Sequence, residues 1–157
     1  MSEFKDYIFI FLGSNADTHS DVIRNRVKGY VNTEQNTIYF ENLHSDAYHY
    51  LLKNSICLIG NSSSGLIEAP SLGIYTINIG DRQAGRVRGN SVLDIKCGKR
   101  EIIDAIKCVL GKYNVIEPIN PYYQANSAER YYETTKLILN QLLSIKGVPK
   151  KFYDIYI

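Results

Sequence analysis

The chain has 157 residues, 45% of them hydrophobic and 22% charged, with a formal net charge of +2. That length fits one domain able to bury roughly two-thirds of the surface its unfolded form exposes, and so small a charge gives no case for nucleic acid or a membrane surface as partner. No apolar run approaches the ~20 residues of a membrane-spanning helix, and the opening residues do not read as a signal peptide.

Residues 7–12, Tyr-Ile-Phe-Ile-Phe-Leu, form an unbroken apolar run that ends at Gly13, Ser14 and Asn15. The run predicts a central parallel strand, apolar on both faces. A helix is expected from Thr18 or Ser20 to about Val31, because Val22, Ile23, Val27 and Tyr30 fall at helical spacing and Asp17, Ser20 and Asp21 lie near its start. Residues 37–40 read as a short strand, and Ser45 or Asp46 offers a cap for a helix running to Lys53. A second apolar run, 56–59, reads as a buried strand that breaks into Gly60, Asn61, Ser62, Ser63, Ser64 and Gly65 before a short helical segment. Residues 75–79 make another strand, closed by Gly80 and Asp81, and 91–95 an edge strand. Helices over 100–110 and about 127–143 complete the pattern, followed by a basic and aromatic tail. Strands alternating with helices predict an α/β fold, an open parallel sheet with helices on both faces. The expected domain is 1–145, Rossmann-like and incomplete at its N-terminal end because so little precedes its first strand, with a tail over 146–157. That tail either covers a sheet edge or is a loose terminus.

The chemistry concentrates in the loop after the 56–59 strand. Unpaired backbone N–H groups at a helix start, beyond the carboxyl end of a parallel strand, are where α/β proteins hold phosphates. Gly60 and Gly65 permit tight backbone geometry, and Ser62, Ser63 and Ser64 add hydroxyl donors. A helix dipole there would contribute on the order of 0.5–1 kcal/mol to a diphosphate, and charge-assisted hydrogen bonds more. Glu68, four residues past Ser64, suits the vicinal hydroxyls of a ribose; it equally fits the solvated face of a capped helix, and spacing alone leaves both open.

The loop 80–88 leaves the next strand on the same side, so Arg82 can neutralise phosphate charge, while Arg86 and Arg88 suit either that crevice or a solvated loop. Asn15 offers a donor and an acceptor, and Asp17 serves as well as a helix cap. His44 falls in a ligand-side loop, whereas His19 and His49 are expected on helix surfaces. No pair of histidines has metal-ligand spacing, and no nucleophilic triad is visible. Cys57, Cys97 and Cys108 are odd in number and far apart, which suits reduced thiols of a cytoplasmic protein.

With these residues assembled, the chain resembles the UDP-N-acetylglucosamine 2-epimerase family, in particular the hydrolysing branch of sialic and related nonulosonic acid synthesis. The resemblance rests on Asn15-Ala16-Asp17, on 59–65 with Glu68-Ala69-Pro70-Ser71-Leu72-Gly73, and on 76–83 with Gly85-Arg86. A weaker match covers Asn120-Pro121-Tyr122 through Asn126-Ser127. It implies one half of a glycosyltransferase-B-like fold, with UDP-sugar held between two domains and no cofactor consumed. Carried over by position, Ser62 and Ser63, with Ser64 beside them, would meet the diphosphate, Glu68 the ribose and Arg82 the phosphates. Asn15 and the backbone near Leu43 and His44 would face the nucleotide. The implied reaction eliminates UDP across C1 and C2 of the sugar and hydrates the glycal to N-acetylmannosamine.

Family members run to more than twice this length. The N-terminal domain, with the acidic residues that handle the C2 proton, is not in this sequence, nor is the histidine-bearing strand and helix that open the C-terminal half. The expectation is therefore a UDP-binding portion without epimerase activity of its own, associating with itself or with a separate N-terminal half. Alternatives are an isolated nucleotide-sugar-binding or regulatory module and the donor-binding domain of a glycosyltransferase.

Overall fold

The computed structural model of the chain describes residues 3–13, 20–112 and 117–144. The chain divides into two compact units, 1–121 and 122–157. In the first, β1 (Phe9–Leu12), α1 (Ser20–Val31), β2 (Thr37–Phe40), α2 (Ser45–Lys53) and β3 (Cys57–Gly60) lead to a one-turn helix α3 (Ser64–Ile67). A 3-10 turn (Ala69–Leu72), β4 (Tyr75–Ile79), β5 (Val92–Ile95) and α4 (Lys99–Lys112) follow. In the second unit the described residues form α5 (Ser127–Ser144). Asn126 stands just before α5 in the left-handed region, at φ 57°, and its carbonyl accepts the Arg130 N–H at 3.0 Å. No helix among the described residues is long and apolar enough to cross a membrane.

Every strand pairing is parallel, and helices flank the sheets, which is the Rossmann-like α/β arrangement the alternation predicts. The strands form two sheets, one of β1 and β2 and one ordered β3-β4-β5. β4 is the central strand of the larger sheet, and its first four residues are buried, as a strand covered on both faces requires. Its side chains alternate: Tyr75 and Ile77 pack with Ala105, Ile106 and Val109 of α4 and with Phe4, while the Thr76 hydroxyl donates to the Gly65 carbonyl of α3 at 2.7 Å. Fully burying Ile77 contributes about 1.5–3 kcal/mol. A smaller cluster of Leu52, Ala69 and Ile74, with Tyr48, Leu58 and Leu72 against it, seats α2 on the 3-10 turn.

Two expectations change. β1 is not a central strand among the described residues. It pairs with β2 alone, and its burial alternates so that Ile10 and Leu12 remain 37% and 40% exposed. A central strand needs a hydrogen-bonded neighbour at each edge, and an apolar run does not specify whether both are present. α2 is capped by His44, in extended conformation, and not by Ser45 or Asp46, which already lie in the first turn; no side chain closes that cap. The short helical segment expected after the serines is a single turn, because Glu68 carries the chain into the 3-10 turn with Pro70 near its start. The remaining elements fall within two residues of their predicted bounds, β5 at the edge of its sheet included. The segment 14–19, with Asn15 and Asp17, and the tail 145–157, where the expected domain boundary falls, lie outside the described residues.

Candidate functional site

The loop after β3 is built by two glycines. Gly60 turns out of the strand at φ 154°, a conformation that side chains disfavour. At Gly65 an added Cβ would meet the Thr76 Cγ2 atom at 2.5 Å, so only glycine lets α3 lie this close on β4. Within the turn the Gly65 N–H donates to the Ser62 carbonyl, and those of Leu66 and Ile67 to the Ser63 carbonyl. The Ser64 N–H donates to the Ser62 Oγ atom at 3.3 Å. These amides close the turn on itself. Any anion-holding capacity at this corner therefore comes from the Ser62 and Ser63 hydroxyls and the start of the loop more than from the dipole of a one-turn helix.

α2 grips this corner from outside. The Tyr48 hydroxyl and the Ser64 Oγ atom share a hydrogen bond, and His49 Nε2 lies 2.7 Å from Glu68 Oε2. Burial raises the Tyr48 phenol above its ordinary value of 10; the Ser64 hydrogen bond opposes that shift and the nearby Glu68 charge adds to it. Tyr48 therefore remains a neutral phenol through the physiological range. Asn120 closes the other side, its amide donating to the Ile67 carbonyl at 2.8 Å and to the Ser71 hydroxyl.

The loop after β4 is tied to the same corner. Gln83, only 4% exposed, donates through Nε2 to the Asn61 carbonyl at 2.8 Å. Arg88 braces it from behind: Nη2 donates to the Gln83 carbonyl at 3.0 Å, and Nε pairs with Asp94 Oδ2. Asp94 also accepts from Asn78, its partner across β4 and β5, which is 0% exposed. Arg88 is thus neither a solvated residue nor one turned to a crevice; it is consumed in holding the loop. Arg82 and Arg86 are exposed.

Of the residues singled out from the sequence, Ser62, Ser63, Ser64 and Glu68 fall on one continuous turn, with Ser64 buried, Ser62 exposed, and Ser63 and Glu68 between. Arg82 stands one residue from Gln83, which joins its loop to that turn. His44 caps α2, exposed, with its ring 3.6 Å from Asp46. Asn15 lies outside the described residues. Tyr48, His49, Gln83 and Arg88 are contributors that the sequence reading missed. His49 is exposed on α2, as expected; its contact with Glu68 is what spacing along the chain does not show. Among the described residues no group of three histidines, cysteines or carboxylates could hold a metal ion.

A parallel α/β unit whose strand-end loops are braced around a glycine- and serine-rich turn defines the class: a Rossmann-like α/β protein with a polar corner at its strand ends. The sequence pattern of UDP-N-acetylglucosamine 2-epimerase matches residues 1–136, and the chain belongs to that family. It is similar to polysialic acid biosynthesis protein P7 of Escherichia coli, with 43% identity over 99% of this chain and 40% of that protein. It is also similar to the hydrolysing UDP-N,N'-diacetylbacillosamine 2-epimerase of Legionella pneumophila, 33% identical over 82% of this chain and 34% of that one. A third relative is the UDP-N-acetylglucosamine 2-epimerase of Neisseria meningitidis, 32% identical over 90% of this chain and 37% of that one. The chain spans 34–40% of the length of these three relatives.

Proposed function

We propose that the chain is the UDP-sugar-binding portion of a hydrolysing 2-epimerase. Ser62 and Ser63 meet the diphosphate from the turn, with Ser64 anchoring it from below. Arg82 adds positive charge from the neighbouring loop, and Glu68 accepts from the ribose hydroxyls. Asn15 and the His44 region border the nucleotide. The observation that carries this reading is the common bracing of Ser64 and Glu68 by adjacent residues of α2, which holds hydroxyls and a carboxylate one turn apart on the same side of α3. The names of the relatives support the chemistry, since a hydrolysing UDP-N,N'-diacetylbacillosamine 2-epimerase and a UDP-N-acetylglucosamine 2-epimerase stand among them.

The parent reaction on this reading is loss of UDP from the sugar by elimination across C1 and C2, followed by hydration of the glycal. A base must reach the C2 proton while the leaving group is held, and proximity of that kind needs both walls of a cleft. This chain supplies the wall that holds the leaving group. It binds UDP and does not release N-acetylmannosamine when alone.

Calorimetric titration of UDP and UDP-N-acetylglucosamine into the purified chain tests the reading, repeated with Ser63→Ala and Glu68→Ala. Binding weakened by both substitutions is the expected result. Binding indifferent to both would place the nucleotide elsewhere, and N-acetylmannosamine release by the chain alone would overturn the division of labour.

A further inference from the structure

α2 touches α3 at two points one residue apart. Tyr48 holds Ser64 at the first residue of the turn, and His49 holds Glu68 just past its last. The two rings lie 5.5 Å apart at 51°, so the Tyr48 contact and the His49 contact come from one rigid corner of α2. That corner is itself fixed, because Leu52 packs on Ala69 and Ile74 just beyond Glu68, and the Tyr48 N–H donates to the His44 carbonyl at 2.9 Å. Glu68 has a different status. It belongs to neither helix core, stands between α3 and the 3-10 turn, and has a half-exposed carboxylate. Left to itself, a carboxylate on two methylenes samples several rotamers, and each must be lost on binding.

We propose that His49 is a positioning residue for Glu68: by donating from Nε2 to Oε2 it holds the carboxylate in the orientation that receives the vicinal hydroxyls of a ribose. The inference rests on the reading of Glu68 given above. A carboxylate has about four acceptor positions, so one spent on His49 leaves enough for a cis-diol. Nε2 carries the proton in this arrangement. His49 touches no ligand and acts through Glu68 alone.

The test is a calorimetric comparison of the full chain with its His49→Ala and His49→Gln variants, each titrated with UDP and with 2′,3′-dideoxy-UDP. His49→Ala is expected to weaken UDP binding about fivefold, the ratio equivalent to about 1 kcal/mol for one hydrogen bond. His49→Gln, whose amide nitrogen can replace Nε2 as donor, is expected to recover most of it. Against the dideoxy ligand, which has no diol to receive, the unsubstituted chain and His49→Ala should bind alike. Equal weakening of both ligands would reveal a merely structural role and overturn the inference, as would unchanged UDP binding in His49→Ala. If the unsubstituted chain binds no UDP, the reading of the site falls and the inference with it. If UDP binds and is weakened by Glu68→Ala but not by His49→Ala, the inference alone falls.

Discussion

Gly65→Ala is the most informative perturbation of the turn after β3. The added Cβ would lie 2.5 Å from Thr76 Cγ2, 3.2 Å from Thr76 Oγ1 and 3.4 Å from Leu58 Cδ2. Thr76 cannot swing aside cheaply, since it is 2% exposed, β-branched, and donates its hydroxyl to the Gly65 carbonyl. Relief therefore means shifting α3 off β4 or breaking that hydrogen bond. Overpacking of this kind costs about 1–3 kcal/mol, and about 2 kcal/mol lowers the thermal midpoint of a chain this size by about 4–8 °C. Urea denaturation followed by far-UV circular dichroism reads the loss directly, provided the m-values agree. The second half of the prediction is a rescue. Thr76→Ser deletes the clashing methyl and keeps the hydroxyl, so in its background Gly65→Ala should cost at least 1 kcal/mol less, a coupling typical of residues in direct contact. A Gly65→Ala variant within about 0.5 kcal/mol of the unsubstituted chain, the range of neutral surface changes, would refute the close-approach argument, and so would a Thr76→Ser background that gives no relief.

Other consequences are equally direct. Cys97 is exposed, whereas burial pushes the Cys57 thiol up to about 11, so iodoacetamide at pH 8 should label Cys97 well before Cys57 when followed by mass spectrometry. The Glu41 carboxyl is held below its ordinary 4.5 by the hydrogen bond and charge of Lys28, with Arg24 adding to the effect. Its contribution to stability is thus complete above that value and lost as pH falls through the lowered one, and Glu41→Gln should flatten that part of the acid limb in pH-dependent denaturation. Ile10, Leu12, Ile38 and Phe40 leave apolar surface exposed on the sheet of β1 and β2, which favours self-association. Light scattering should show a dimer or larger species growing with concentration, and a monomer throughout would count against it.

The elements that depend on local pattern were legible in the sequence. The apolar runs of β2, β3 and β4, the helical spacing of α1 and the serine-glycine turn all stand where their residues predict them. What pattern could not supply was pairing. The run before Gly13 is as apolar as a central strand, yet whether a neighbour lies on each side is a non-local fact, and among the described residues β1 has one. Side-chain partnerships were hidden for the same reason. Arg88 reads as a loop cation until the fold brings Asp94 beside it, and His49, a surface residue in sequence and structure alike, gains a partner in Glu68, 19 positions later in the chain. The one-turn length of α3 was in principle readable, since Pro70 follows so soon after Ser64.

The central claim is that UDP binds at the corner formed by the turn after β3 and the loop after β4. The most direct measurement is a two-dimensional amide NMR titration of the isotope-labelled chain with UDP. The amides of residues 61–65, Glu68 and Arg82 should shift and saturate together, while those of α4, packed on the opposite face of β4, stay in place. Spectra unchanged at millimolar UDP, or shifts confined to residues away from this corner, would contradict it.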